Sequence, residues 1–258
     1  FQNISTDFNQ YGFEFNAGSD GSVVRGLAMG GFDIAASSFA DDGPVEIEAT
    51  GVAVQGCFFG LRADGVTANG NTVLAVKGNN NLIGGTDVAH RNVFAHADAA
   101  AISINSAASN EVYQTLMGVD ASGGAASIAG QGVAVIFGSN DNVIGGTGTN
   151  EPNWIANTTA GVSLFAGVRN AMRGNVMEAN GVGIDLGNDG LTANDADDSD
   201  PGPNNLQNFP EITAFRDAGG GTYDVSVRVP GLGGGAPNAT YPITVDFYRS
   251  TPGDRQGE

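Results

Sequence analysis

The sequence is poor in the residues that build disulfide frameworks and basic surfaces. Its 258 residues include one cysteine, Cys57, which excludes an intramolecular disulfide and a cysteine-based metal site. Lysine and arginine total 10 against 28 aspartate and glutamate residues, and the formal net charge is −18 at pH 7. Because this field repels phosphate groups, we expect no nucleic-acid partner.

Long apolar runs and long helices are also missing. No apolar run approaches the roughly 18 residues that cross a bilayer, so we expect no membrane insertion. Residues 1–7 lack the basic start of a signal peptide, which indicates a piece of a longer precursor. No stretch is periodic like an amphipathic helix, whereas 41 glycines with 15% charged residues are typical of a tightly cornered all-β protein.

A repeated phrase is the most informative feature that the sequence contains. Residues 81–86 read NLIGGT and residues 142–147 read NVIGGT, and the sequence after each copy is also similar. The triplet Asn-x-apolar recurs at Asn71, Asn81, Asn92, Asn110, Asn142, Asn153, Asn170 and Asn175. Asparagine tolerates the left-handed backbone of a corner, and the apolar residue two places on lies on the same side of a strand. The corner asparagines are therefore predicted to point inward.

The spacing of equivalent corners predicts a solenoid. Asn81, Asn110, Asn142 and Asn170 are about 28 to 32 residues apart, which is the length of one coil with three short strands. Coherent coils run from about residue 22 to 186, and a cap or first strand precedes them at residues 11–15. We expect four residues to point into the core: Ile83, Phe94, Ile144 and Ile155.

The character of the sequence changes after residue 186. Residues 187–203 are acidic, are interrupted by glycine and proline, and predict a long closing loop. Residues 222–229 and 241–248 alternate in polarity and predict an antiparallel hairpin joined by residues 231–238. The predicted domains are a β-helix over residues 1–210 and a β-hairpin region, or truncated β-sandwich, over residues 211–258.

These coils, the segment 183–186 (GIDL) and residues 202–210 (GPNNLQNFP) resemble bacterial right-handed parallel β-helix repeat proteins of the pectate-lyase-like superfamily. The resemblance covers about residues 20–215 and is closest to large secreted or surface multidomain proteins. It implies a right-handed parallel β-helix, followed by a β-sandwich-like region, at an extracellular or cell-surface location. It implies no single activity, because the superfamily contains lyases, hydrolases, epimerases, tailspikes and large surface proteins.

No catalytic constellation is recognisable in the sequence. The Gly-His-Gly and Arg-x-Lys motifs of polygalacturonase-type hydrolases are missing. A lyase needs a base and a group that neutralises the substrate carboxylate, yet Lys77 is the one lysine and no basic cluster recurs between coils. We therefore predict no catalytic residue and favour a protein that is not an enzyme.

Hard oxygen ligands are concentrated around the predicted closing loop. They are Asp185, Asp189, Asn194, Asp195, Asp197, Asp198 and Asp200. Calcium takes six to eight such oxygens, so this segment is a candidate calcium site, although its spacing is not that of an EF-hand. A solvated acidic loop is the alternative.

Trp154 occupies the x position of an Asn-x-apolar triplet, so it is predicted to point outward. There a sugar ring or a partner could stack on it. Cover by the neighbouring loop 148–152 is the alternative.

Two functional hypotheses follow from these observations. The favoured one is a non-catalytic extracellular structural or adhesive module, which associates with itself or with another surface protein by β-strand addition. The alternative is a polysaccharide-binding or polysaccharide-processing β-helix protein, such as a lyase, epimerase or glycosidase.

Overall fold

A computed structural model describes residues 12–32, 45–195, 198–231 and 244–247. Within these residues the chain forms a parallel β-helix followed by a two-stranded antiparallel sheet. The strands are β1 (Phe13–Phe15), β2 (Val23–Arg25), β3 (Ala28–Met29), β4 (Val45–Ile47), β5 (Ala53–Gln55), β6 (Phe58–Phe59), β7 (Leu74–Val76), β8 (Leu82–Gly84), β9 (Val93–Phe94), β10 (Ile102–Asn105), β11 (Glu111–Tyr113), β12 (Leu116–Met117), β13 (Gln131–Ile136), β14 (Val143–Ile144), β15 (Trp154–Ala156), β16 (Ala160–Leu164), β17 (Ala171–Met172), β18 (Val176–Glu178), β19 (Val182–Leu186), β20 (Glu211–Gly219) and β21 (Thr222–Arg228). Two single turns of 3-10 helix, Val88–His90 and Pro203–Leu206, complete the regular structure of the described ranges.

Three parallel sheets form the walls of the β-helix. Sheet A contains β1, β4, β7, β10, β13, β16 and β19. Sheet B contains β2, β5, β8, β11, β14 and β17, and sheet C contains β3, β6, β9, β12, β15 and β18. Each run of three consecutive strands is one coil, so the described residues form six coils and the first strand of a seventh. The predicted parallel β-solenoid is confirmed, and no helix in the described ranges has the length and apolarity to cross a membrane.

Aligned apolar side chains fill the space between the three sheets. Ile83 and Ile144 both align with Val112 in sheet B, while Phe94 and Ile155 both align with Met117 in sheet C. The four residues predicted to point inward are each 0% exposed, which confirms the orientation of the repeat.

Aromatic and sulfur side chains fill the same core. The rings of Phe59 and Phe94 stack with their centroids 4.1 Å apart on neighbouring coils. Cys57, two residues before Phe59, is also buried, and burial raises the pKa of its thiol. We infer a structural role for this cysteine.

Asparagine side chains at one corner form a ladder from coil to coil. Each carboxamide oxygen accepts a hydrogen bond from a backbone N–H of the preceding coil. The bonds run from Val52 N to Asn81 (2.8 Å), from Asn81 N to Asn110 (2.9 Å), from Asn110 N to Asn142 (2.9 Å) and from Asn142 N to Asn170 (3.1 Å). All four asparagines are buried, as the sequence predicts.

A second asparagine ladder follows the corner between sheets B and C. The carboxamide oxygens of Asn92, Asn153 and Asn175 accept from the backbone N–H groups of Cys57, Thr115 and Asn153. Their amide nitrogens donate to the backbone carbonyls of Val54, Val112 and Ile144. Each carboxamide thus supplies both an acceptor and a donor to backbone groups that are buried away from water.

The first glycine of each repeated Gly-Gly pair is required by the backbone at the end of a sheet B strand. Gly84 and Gly145 have φ of 87° and 75°, in the left-handed region that L side chains rarely adopt. A Cβ at Gly84 would overlap the carbonyl oxygen of Tyr113, and a Cβ at Gly145 would overlap the carboxamide of Asn175. The glycine that follows each isoleucine is therefore explained by its left-handed backbone and by close packing between coils.

The C-terminal hairpin differs from the predicted one. Strand β21 was predicted to pair with residues 241–248, but it pairs with β20 through a turn at Gly219–Gly221. All three turn glycines have positive φ, which allows the tight reversal. Of the strand predicted at 241–248, residues 244–247 are not in a strand, and the remainder lies outside the described residues.

Replacing Asn142 with alanine tests the ladder. Its carboxamide accepts from Asn110 N and donates to the Asn170 side chain and to the Ala107 carbonyl oxygen. Because the variant leaves the buried N–H of Asn110 without its acceptor and also removes the two hydrogen bonds that the Asn142 amide donates, we expect the free energy of unfolding to fall by about 2–4 kcal/mol. Urea unfolding followed by circular dichroism measures the change. Asn16→Ala, at an exposed position, is the matched control, and equal losses in both variants would contradict the account.

Candidate functional site

The closing segment, residues 185–203, contains the candidate calcium ligands, and the first of its acidic side chains stabilise a turn. Asp185 lies on β19, and its carboxylate accepts hydrogen bonds from the backbone N–H groups of Asp189 (3.2 Å) and Gly190 (3.3 and 3.2 Å). Asp185 is buried, whereas the side chain of Asp189 is exposed. This arrangement turns the chain away from the last strand of sheet A.

A second group of polar side chains fastens the end of the loop. Asp195 Oδ1 accepts from the backbone N–H of Asp198 (2.6 Å), and Asp198 Oδ1 accepts from the backbone N–H of Asn208 (2.8 Å). Asn194 holds the backbone of Phe209 through two bonds, to its N–H (2.9 Å) and to its carbonyl oxygen (3.0 Å). The loop is thereby closed immediately before β20 begins.

The predicted calcium ligands thus fall into two sets. Asp185 and Asp189 form one set, while Asn194, Asp195 and Asp198 form the other and are hydrogen-bonded to Asn208 and Phe209. Asp200 is half-buried, and Asp197 lies outside the described residues. Among the residues that the structure describes, no three carboxylate, histidine or cysteine side chains are arranged to hold a metal ion. Calcium binding in this segment remains a prediction.

Asn204 was not predicted as part of an asparagine ladder. Its Oδ1 accepts from Asn170 N (3.0 Å), and its Nδ2 donates to the Asn170 carbonyl oxygen (2.7 Å). Asn204 therefore adds another step to the first ladder, beyond the last complete coil. Its distance of 34 residues from Asn170 is close to the coil period, so the spacing was an available signal.

The hairpin of β20 and β21 projects a face of apolar side chains into solvent. Ile212 pairs with Val227 and Phe215 pairs with Val225 across the two strands. The exposed apolar residues are Ile212 (64%), Phe215 (64%), Tyr223 (53%), Val225 (36%) and Val227 (37%). A two-stranded hairpin is marginally stable alone, so an apolar face this exposed points to a partner surface.

One ion pair joins the two strands of the hairpin, and another attaches residues 244–247 to the β-helix. Arg228 donates to Glu211 at the base of the hairpin, and this contact lowers the pKa of the Glu211 carboxyl. Arg173, after the last strand of sheet B, makes a bidentate pair with Asp246 at 2.6 and 2.7 Å. The guanidinium of Arg173 lowers the pKa of Asp246. Residues 244–247 are thereby held against the sixth coil.

Trp154 points outward from sheet C, as predicted, but a different loop packs against it. Its ring joins a cluster with Leu61 and Leu116, and a Cβ at Gly123 would lie 3.4 Å from the ring. The loop that carries Gly123 belongs to the preceding coil and is not the loop 148–152 considered from the sequence. The indole is partly buried, and stacking of a ligand on it remains a prediction.

A small polar group lies outside sheet B. Glu111 and Tyr113 lie on the outward face of β11, and Glu151 lies in the loop after β14 on the next coil. Burial contributes most to the raised pKa of the phenol, and the two negative charges add to it. The Glu151 carboxylate is fixed by the backbone N–H of Gly148 (2.7 Å). The phenol and the two carboxylates offer hydrogen-bonding groups to a polyhydroxylated ligand.

Comparison with protein-family models gives no matching family, and comparison with curated proteins and with solved structures gives no match.

Calcium binding to the closing segment is tested by thermal unfolding. An ion that binds only the folded protein raises its melting temperature, so the prediction requires a higher value in millimolar calcium than in chelator. Asp198→Asn should reduce this difference, whereas Asp64→Asn, in an exposed loop between the second and third coils, should preserve it. Equal melting temperatures in calcium and chelator would favour the solvated loop.

Proposed function

We propose that the chain is a non-catalytic structural module of a bacterial surface or secreted protein, a parallel β-helix of the pectate-lyase-like superfamily that acts outside the cell. The supporting observation is the unbroken register of three sheets over six coils. Every neighbouring pair of coils is joined by backbone hydrogen bonds along the long axis. Such an array behaves as a rigid spacer.

The arrangement of charge supports this proposal. Several acidic side chains accept hydrogen bonds from nearby backbone N–H groups, as in Asp64 with Val66 and Thr67. The Thr67 hydroxyl and these N–H groups lower the pKa of Asp64 to about 2. Carboxylates that stabilise turns in this way keep their charge in acidic surroundings. The net charge of −18 favours solubility.

The C-terminal hairpin is the proposed contact surface. It is exposed along its whole length except at Glu211, which is half-buried at its base. Exposed strand edges pair readily with strands of another chain. The module would therefore combine a rigid β-helix with an attachment element at one end.

The Tyr113 group gives a specific reason to retain the alternative function. Glu111 lies on the outer face of sheet B and Glu151 lies in the loop after β14 on the next coil, and glycosidases act through a pair of carboxyl groups. The alternative is a polysaccharide-binding or polysaccharide-processing protein that uses this surface.

Self-association tests the structural proposal. Sedimentation of the wild-type chain from micromolar to millimolar concentration should show a shift from monomer to oligomer. Val225→Lys should weaken this association at least about tenfold, because a lysine replaces an apolar contact by a charge that must be desolvated. Val66→Lys, at another exposed valine (50% against 36% for Val225) in a loop of the β-helix, is the control. A wild-type chain that stays monomeric throughout would contradict self-association.

Incubation with a panel of uronate and neutral glycans separates the two functions. We expect the glycans to remain intact, as judged by chain length and by the absorbance of unsaturated ends. Cleavage that is lost in Tyr113→Phe and Glu151→Gln, and preserved in the control Tyr223→Phe, would replace the structural proposal by the alternative.

A further inference from the structure

The two edges of the hairpin are not equivalent. Strand β20 contains irregularities between Ile212 and Ala214 and between Asp217 and Gly219, where an extra residue interrupts the pairing. Bulges of this kind twist an edge and protect it from further pairing. Strand β21 pairs through seven consecutive residues without an insertion. The outer edge of β21 is therefore the one suited to accept another strand.

We propose that β21 pairs antiparallel with β21 of a second copy of this chain, with the two-fold axis at Val225. This inference rests on the self-association in the proposed function and names the partner and the register. All seven residues of each strand then take part, and Val225 lies opposite the partner's Val225. Tyr223 lies opposite the partner's Val227, so apolar residues meet apolar residues throughout.

Neighbouring registers are less favourable. A shift that places an odd-numbered residue opposite an even-numbered one mixes the apolar and polar faces. An axis at Asp224 sets two carboxylates directly opposite each other, which is destabilising. An axis at Ser226 reduces the overlap from seven residues to five. It also places Asp224 opposite the partner's Arg228, although these two residues already form ion pairs with Arg216 and Glu211 within their own hairpin.

The charge of the hairpin permits this contact in a strongly acidic protein. Residues 211–228 contain three carboxylates and two guanidinium groups, so they are nearly neutral, whereas the chain carries −18. In the proposed register Asp224 faces the partner's Ser226 and Arg228 faces the partner's Thr222. No like charges are opposed across the new pairing.

The product is a four-stranded sheet in the order β20, β21, partner β21, partner β20. Four strands with one continuous apolar face are more stable than an isolated hairpin. Both copies contribute the same five apolar residues to that face: Ile212, Phe215, Tyr223, Val225 and Val227.

Disulfide formation tests the register. Residues directly opposite in antiparallel strands have Cα atoms about 4.5–5.5 Å apart, within the range of a disulfide. The native thiol, Cys57, is 0% exposed. Under mild oxidation the Val225→Cys chain should form a covalent dimer at least about tenfold faster than Phe215→Cys, because pairing raises the effective thiol concentration at position 225 alone. Non-reducing electrophoresis and peptide mass spectrometry follow the product.

A mixed experiment provides a second readout. Asp224→Cys and Ser226→Cys chains should each crosslink slowly alone and should form a heterodimer quickly when mixed, because these positions face each other. If the wild-type chain associates but position 225 reacts no faster than position 215, the register is wrong and the proposed assembly function survives. If the wild-type chain remains monomeric and no variant crosslinks, both proposals fail.

Discussion

The fold depends on the hydrogen bonds that corner asparagines donate and accept. Where the chain passes from one strand to the next, the buried backbone N–H at the corner has no carbonyl partner in a sheet. An unpaired buried N–H costs about 1–3 kcal/mol, and such a corner recurs from the second coil to the fifth. Asn81, Asn110, Asn142 and Asn170 remove this cost in succession by supplying an acceptor from the next coil. The aliphatic core can then remain dry along its length.

Much of this fold is predictable from the sequence because one residue type performs one task at every corner. The Asn-x-Ile triplets reveal both the turn and the inward direction of Ile83 and Ile144. Asn204 was missed because it follows an irregular acidic loop and not a strand. The hairpin partner was missed because the bulges in β20 disrupt the alternation by which a strand is recognised.

The surface is harder to predict from the sequence because neighbours in a solenoid are about thirty residues apart in the chain. The loop that packs on Trp154 comes from the preceding coil, near Gly123, and not from the residues just before it. The acidic segment illustrates a different difficulty. The many acidic residues of this segment favour a calcium site. In the structure, however, the carboxylates of Asp195 and Asp198 accept hydrogen bonds from backbone N–H groups. The number of acidic residues cannot distinguish oxygen atoms that bind a cation from oxygen atoms that accept backbone hydrogen bonds.

Hydrogen exchange at the corner amides tests the account most directly. If the asparagine ladders stabilise the stacked coils, the backbone amides of Asn81, Asn110 and Asn142 should exchange as slowly as those in the centres of sheet strands. Amides of the exposed hairpin turn should exchange fastest in monomeric protein. Corner amides that exchange as quickly as the turn at Gly219–Gly221 would contradict the account, because the ladder bonds would then be open in solution.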